Sequence, residues 1–451
     1  MLSIAVVGGG AAGFMAAITA KRQMPNARVC IFEKGKKVLA KVAVTGGGRC
    51  NITNSFAQVT DLKQAYPRGD KLMKRLFKVF GYQDAYQWFE DNGVKLTTQA
   101  DQCVFPQSQT SQSVIDCLMG LAQQWGVNIY TEHCVKKITS LENGDIKLYF
   151  ARQEPLVFNH VAITSGGSPH AEQLQYLSDI GHKIEPPCAS LFTFSIKEQR
   201  LTELMGTCVD PVYLSIPGTK LRSEGTLLIT HWGLSGPSTL KLSAYAARIL
   251  NDRNYQFDVS VNWIHTTNTQ IVADTLRQTA MANAQKQLHS VRPYMLSARL
   301  WNYLIGRAGF SVQQKWNELG SKSINKLTET LTNDTYTVAG KGTWKEEFVT
   351  CGGISLKSIN LTTLESKACP NLFFAGEVVD VDGITGGFNL QAAWTMGYVV
   401  GLNLTKEPSN HQNITNHVNQ EMEDLKVGLH HQAPLAHGSS RRGATAQRCD
   451  S

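Results

Sequence analysis

The ten cysteines of this 451-residue chain include no C-x-x-C pair. That excludes a zinc framework of paired cysteines and the adjacent dithiol of disulfide reductases. No metal site is expected. Cysteines scattered singly suit a reducing compartment, and a cytoplasmic location is expected. No apolar run reaches the roughly 18 residues of a membrane span. No signal-type h-region precedes the first apolar segment, which reads as a strand. A strong excess of either charge sign is also absent. The 44 Lys+Arg against 36 Asp+Glu leave a formal net charge of +8. That excess permits affinity for anionic cofactors or nucleic acid, but no basic-aromatic stripe supports a dedicated nucleic-acid binder. Hydrophobic residues at 42% and charged residues at 18% suit a globular enzyme. The length exceeds one compact core, so two or three domains are expected.

What is present starts near Met1. The run Ile4-Ala5-Val6-Val7-Gly8-Gly9-Gly10-Ala11-Ala12-Gly13 reads as a strand, a glycine turn and the start of a helix. Gly8 permits the tight turn, Gly10 lets a pyrophosphate approach the backbone, and Gly13 lets the helix pack on the strand. Free N–H groups of the helix start, from Ala11 and Ala12 on, face the phosphate oxygens. A second strand, Arg28 to Phe32, ends in Glu33, about 20 residues past Gly13, where a ribose hydroxyl needs an acceptor. This motif suits the ADP half of either FAD or NAD. Glu33 disfavours NADP, whose 2′-phosphate would meet a carboxylate.

A second signature is Thr45-Gly46-Gly47-Gly48-Arg49-Cys50-Asn51-Ile52-Thr53-Asn54. Its backbone can lie against a flat ligand, and Arg49 can neutralise a pyrophosphate or hold an acidic group; a plain surface loop is the alternative. Cys50 is either a redox thiol beside a flavin or a small packing residue. Residues 101–138 read as a βαβ-like unit, with a helix from Ser111 to Trp125. Asn143-Gly144 marks a hairpin. His160 to Ser168 reads as a buried strand that returns to the sheet. From Ser190 the texture changes to alternating strands, among them Leu191–Ile196, then to helices between Asn268 and Leu331. His231, at a strand end, is a candidate substrate contact or a structural histidine.

The segment from Asn371 to Val400 closes the pattern. A strand leads to Gly376-Glu377, then to Asp382, Gly386, Gly387, Phe388, Asn389 and Leu390 at a helix start. This reads as the second half of an FAD site. The acidic residues bond ribitol or phosphate hydroxyls, and the helix N-terminus faces the flavin N1/O2 edge.

Together with Val104-Phe105-Pro106, Thr230 to Pro237, Phe348 to Ile354 and Thr363 to Lys367, these motifs resemble the BaiN/RdsA-type (YhiN-like) FAD-dependent oxidoreductases of the two-dinucleotide-binding-motif flavoprotein superfamily. The resemblance runs from Met1 to about Leu404. It implies an α/β fold with a Rossmann-like FAD-binding domain built from discontinuous segments, 1–189 and 341–405. It also implies an inserted β-rich domain at 190–265 and a helical subdomain with its return at 266–340. Residues 406–451 fall outside it and read as a partly disordered tail. Carrying the family's cofactor contacts onto this chain adds Lys34, Lys41, Val135, Thr164 and Gly166. The implied activity passes a hydride from NAD(P)H, bound transiently, through flavin N5 to a small organic acceptor. The alternatives are a flavin-dependent RNA-modifying or RNA-binding protein and a flavin-bound redox sensor. Two departures stand out. The loop after Ser165-Gly166-Gly167 is short, and Thr226 stands where many relatives carry Glu.

Overall fold

The first apolar run forms β1 (Ser3–Val7), whose residues from Ile4 onward are buried. It turns through Gly8 to Gly10 into α1 (Ala11–Gln23). β2 (Arg28–Phe32) lies parallel to β1. Residues 1–342 and 349–406 are described by the structure, a computed structural model. Met1–Thr405 form one compact unit. Phe348 and nearly all of the 406–451 tail lie outside the described residues.

A small antiparallel sheet follows: β3 (Thr53–Asn54), β4 (Leu96–Thr98) and β5 (Cys103–Pro106), in the order β3-β5-β4. α2 (Gln112–Gln124) buries Val114, Leu118 and Ala122 and packs against α1. β6 (Asn128–Tyr130) then joins β2 in parallel. The expected βαβ-like unit over 101–138 is therefore corrected. β5 and β6 belong to different sheets, because Val104 is captured by Thr53 and by Thr98 in antiparallel register. A period-two pattern marks a strand but does not name its partner.

β7 (Val135–Ser140) and β8 (Ile146–Phe150) form the hairpin expected at Asn143-Gly144, and β9 (Leu156–Phe158) adds a third strand. β10 (His160–Ile163), buried throughout, returns to lie parallel to β1. Strands buried on both faces read as continuous apolar runs, as β1, β2 and β10 do.

β11 (Ile184–Ser190) leads out of this layer. A seven-stranded antiparallel sheet comes next, made of β12 (Phe194–Ser195), β13 (Cys208–Ser215), β14 (Arg222–Thr230), β15 (Gly233–Ser235), β16 (Phe257–Asn262), β17 (Asp334–Val338) and β18 (Gly340–Lys341). The strand expected over Leu191–Ile196 shortens to β12, since Leu191 takes φ 54°, a left-handed break. Pro237 opens α3 (Pro237–Asp252), where its missing N–H costs nothing. α4 (Thr269–Ala282), α5 (Ala298–Arg307) and α6 (Ser321–Thr332) cover the sheet. Leu300, Trp301 and Leu304 are fully buried with Leu214, Ile229 and Val261 in one apolar core. β19 (Val349–Ile354) returns antiparallel to β11, β20 (Leu372–Phe374) joins β10 in parallel, and α7 (Phe388–Asn403) ends the unit. The first sheet is thus parallel, in the order β20-β10-β1-β2-β6. Its core is separate from the second one.

α1 and α7 lie in close contact along a glycine seam. A Cβ on Gly397 would stand 2.5 Å from the Ala12 carbonyl oxygen, and one on Gly401 2.7 Å from that of Ala16. Gly397→Ala should therefore cost about 1–3 kcal/mol by overpacking. Gly120→Ala, at an exposed α2 position with nothing within 4 Å, should be neutral or gain up to about 1 kcal/mol. Denaturation midpoints of the two variants check this; equal shifts would show that the seam is loose.

Candidate functional site

The glycines of the first turn divide into two kinds. A Cβ on Gly8, at φ 117°, would stand 2.4 Å from the Thr164 carbonyl oxygen, and one on Gly13 2.0 Å from that of Gly8. These two exist for close packing, and Thr164 Oγ1 adds a hydrogen bond to Gly8 O at 2.9 Å. Gly10 is different. Its backbone is extended, and a Cβ there would meet nothing within 4 Å. It is the open side of the turn. α1 has no side-chain cap, so its first N–H groups, at Ala11 and Ala12, are available to an anion.

Glu33 stands at the end of β2 as expected, with a structural task as well. Its Oε2 accepts from Gly9 N at 2.9 Å and its Oε1 from Gly35 N at 2.7 Å. The carboxylate thereby ties the glycine turn to the second strand. Each oxygen keeps a lone pair for a ribose hydroxyl. Lys34 beside it is exposed.

In the second signature, Gly46 and Gly47 take left-handed φ of 57° and 68°. A Cβ on Gly46 would clash with Asn51 N at 2.7 Å, whereas Gly47 faces open space. Arg49 lies over the Phe105 ring at 4.2 Å and donates to Gln109 Oε1 at 3.2 Å. Its guanidinium is anchored on the β5 side of the loop. Thr45 Oγ1 donates to Val42 O. Cys50 is fully buried, and burial pushes its thiol pKa up to about 12. At neutral pH it stays protonated, which favours its packing reading. Cys50→Ser should keep NAD(P)H-driven flavin reduction near the wild-type rate. A loss on the order of 100-fold, with flavin retained, would make it a chemical participant.

Asn51 links both halves of the site. With its amide nitrogen donating to Thr53 O at 2.9 Å, its oxygen accepts from Gly387 N at 3.1 Å. Asn54 Nδ2 donates to Gly386 O at 3.1 Å, and Trp394 Nε1 to Ile52 O at 3.0 Å. Gly387 must be glycine here. Its φ is 90°, and a Cβ would stand 2.3 Å from Thr53 O. Tyr66 donates to Phe388 O, and the Asn389 side chain closes the loop on Gly383 N and O. Leu390, half-buried, follows in the first turn of α7. Like α1, α7 starts without a side-chain cap.

The seam sets the spacing of these two helix starts. Gly397 meets Ala12 and Gly401 meets Ala16, so the helices run in the same direction. Phe388 lies nine residues before Gly397. At about 1.5 Å per residue, and with α1 starting one residue before Ala12, α7 begins roughly 12 Å beyond the start of α1. Two partial positive poles therefore lie along one elongated site.

Glu377 gathers further segments. It accepts from Lys41 Nζ at 3.0 Å and from Thr350 N at 2.8 Å. A Cβ on Gly167 would stand 2.5 Å from its Oε1, while neighbouring Gly166 faces open space. Gly376 packs on Ala12. Val135 is buried at the start of β7.

The Asp382 carboxylate was expected at the cofactor. It is 1% exposed and is taken up by Arg68 and by Ser190 Oγ, the latter at 2.8 Å. Arg68 also donates to Ala244 O at 2.8 Å, and Arg248 grips Asp380 through both carboxylate oxygens at 2.9 and 3.0 Å. Burial works against the Arg68 charge, but Asp382 more than restores it, and the Arg68 pKa rises. Ala244 and Arg248 belong to α3, so this cluster bolts the second core to the loop that carries Asp380 and Asp382. Arg68, Ser190 and Arg248 escaped the sequence reading. Their one local signal is the turn Tyr66-Pro67-Arg68-Gly69, where a Cβ on Gly69 would press on Val381 at 2.6 Å.

His231 is exposed on the β14–β15 turn, its ring edge-on to Trp232 at 4.3 Å. Among the described residues, no hydrogen bond or ring contact ties it to the glycine segments. Thr226 donates to Asp210 Oδ1 at 2.9 Å. Among the described residues, no group of three or more His, Cys, Asp or Glu is placed to hold a metal ion, and no helix is long and apolar enough to cross a membrane.

A family model described as the HI0933-like protein Rossmann domain matches residues 2–403. The chain is 26% identical over 424 residues to a 3-dehydro-bile acid delta(4,6)-reductase of Clostridium scindens, covering 90% of this chain and 100% of that protein. It is also 26% identical over 419 residues to a ribosomal RNA dihydrouridine synthase of Escherichia coli, covering 90% and 98%. Among solved structures, the 3-ketosteroid-delta4-(5alpha)-dehydrogenase of Rhodococcus jostii matches with a TM-score of 0.47 and 14% identity, over 90% and 97% of the two chains.

Proposed function

The chain belongs to the HI0933-like family, the flavoprotein oxidoreductases its motifs resemble, and from that membership we propose an NAD(P)H-linked reductase of a carbon–carbon double bond conjugated to a carbonyl. The proposed acceptor is a small organic molecule. The observation that carries the reading is the pair of uncapped helix starts along one glycine seam. Such a site suits a long dinucleotide with an anionic middle and an electron-accepting end.

FAD, when bound, supplies two-electron hydride chemistry. The protein supplies position and charge. The backbone from Gly10 to Gly13 holds the pyrophosphate, and Glu33 receives ribose hydroxyls. Glu377, braced by Lys41 and Thr350, serves the ribitol side. The start of α7 at Phe388, Asn389 and Leu390 turns its partial positive charge to the ring edge and favours negative charge there. Asn51 and Asn54 hold that helix start in place. The acceptor is proposed to lie between the ring and the second core, with the Asp380–Asp382 bolt setting their separation.

The names of the two curated relatives support the conjugated acceptor. One reduces a 3-dehydro-bile acid at Δ4,6, and the other forms dihydrouridine in ribosomal RNA. Both chemistries saturate a C=C bond near a carbonyl. The second relative also supports a second reading, in which the acceptor is a uracil ring within RNA. NAD(P)H consumption by the FAD-loaded protein separates the readings. A cyclic enone should accelerate it and yield the saturated ketone in equal amount. Consumption that responds only to ribosomal RNA, with dihydrouridine as product, would replace the first reading by the second. No response to any acceptor would leave a sensor without turnover.

A further inference from the structure

Cys188 and Cys351 are distant in sequence, yet β11 and β19 place them directly opposite each other. Opposed residues of an antiparallel pair have Cα atoms about 4.5–5.5 Å apart. That falls within the roughly 4.4–6.8 Å a disulfide spans. Side chains of opposed residues point to the same face. With Ala247 of α3 the two cysteines form a small buried cluster separate from both main cores. β11 carries the chain out of the first core and β19 brings it back, so the pair sits on the two strands that connect the cores.

The surroundings suit thiol chemistry. The adjoining Cys188 thiol lowers the Cys351 pKa; burial opposes this, and Arg68 and Arg248 add to it. The same interaction, with burial, pushes Cys188 up. One sulfur is thus biased toward thiolate while the other holds a proton beside it. Elsewhere burial dominates, pushing Cys103 and Cys117 up to about 11.

We propose that Cys188 and Cys351 form a reversible dithiol–disulfide couple, oxidised by hydrogen peroxide, whose bond pins together the two strands that link the cores. The Cys351 sulfur attacks one peroxide oxygen and the O–O bond breaks. Water leaves, and Cys351 becomes a sulfenic acid. The Cys188 sulfur attacks that sulfur, and a second water leaves with the Cys188 proton. Two thiols lose two electrons and two protons, and one peroxide becomes two waters. A low-mass dithiol reverses the bond by exchange. Cys188 is 6% exposed and Cys351 fully buried. Peroxide, little larger than water, reaches them through local openings of the fold. Ser190, two residues past Cys188, holds Asp382. The state of the couple therefore sets how freely the second core moves over the loop that carries Asp380 and Asp382.

The test uses the full chain. It is treated with peroxide, quenched with catalase, denatured, alkylated and mapped by non-reducing mass spectrometry. The expected results are a linked Cys188–Cys351 peptide, loss of two alkylatable thiols, recovery with dithiothreitol, and a higher melting temperature for the oxidised form. Cys188→Ser should stop at a dimedone-trapped sulfenic acid on Cys351, with no rise in melting temperature; Cys351→Ser should form no link. Oxidation of the exposed Cys208 while Cys188 and Cys351 both stay alkylatable would overturn the proposal. A linked peptide with no change in melting temperature would overturn the pinning.

Discussion

Gly10→Val should leave the chain folded and strip it of flavin. The backbone at Gly10 is extended, with φ −96°, so a β-branched residue adopts it without strain. Nothing in the protein lies within 4 Å of the new Cβ. Its volume falls where a pyrophosphate must meet the helix start. A loss of at least about 100-fold in FAD affinity is expected, about 2.7 kcal/mol. Circular dichroism and the melting temperature should stay close to those of the wild-type apoprotein. Gly13→Val is the control with the opposite pattern. Its Cβ would collide with Gly8 O at 2.0 Å, a backbone atom that cannot step aside, so the fold itself should fail. If Gly10→Val binds FAD as the wild type does, the turn does not hold the pyrophosphate.

Arg68→Met should be among the most destabilising single changes in the unit. It leaves the Asp382 carboxylate 1% exposed with Ser190 as its remaining described partner. Removing one member of a buried ion pair typically costs about 3–5 kcal/mol. Adding Asp382→Leu removes the stranded charge, and the double variant should recover much of the loss. The same cycle should read out in flavin retention, because Asp382 anchors the loop that runs through Gly383 to Gly387. Denaturation midpoints and the flavin-to-protein ratio of the three variants check both. Losses that simply add would mean that Arg68 and Asp382 act independently.

These two sites mark what local sequence carries and what it does not. β1, the glycine turn, α1, β2 and Glu33 are one short stretch, and turn chemistry with apolar periodicity read it directly. The second glycine segment was legible for the same reason. Gly386 and Gly387 sit at a helix start, where a left-handed residue has a local signature. Arg68 and Asp382 lie 314 positions apart. Their pairing depends on where two loops meet, and a carboxylate near a glycine-rich turn reads equally well as a ligand contact. The β5–β6 correction has the same root, since strand pairing is decided by tertiary contacts. So does the Cys188–Cys351 pair, whose register comes from two paired strands that flank the second core in sequence. Glu33 shows a milder form. Its position was legible, but its bonds to Gly9 and Gly35 were not.

The most direct test is an anaerobic half-reaction followed by flavin absorbance. The purified protein is loaded with FAD, mixed with NADH or NADPH, and then given a cyclic enone. The account predicts that a reduced nicotinamide bleaches the bound flavin, and that the enone restores its colour in proportion to the saturated ketone formed. A protein that cannot be loaded with FAD, or bound flavin that no nicotinamide bleaches, would contradict it.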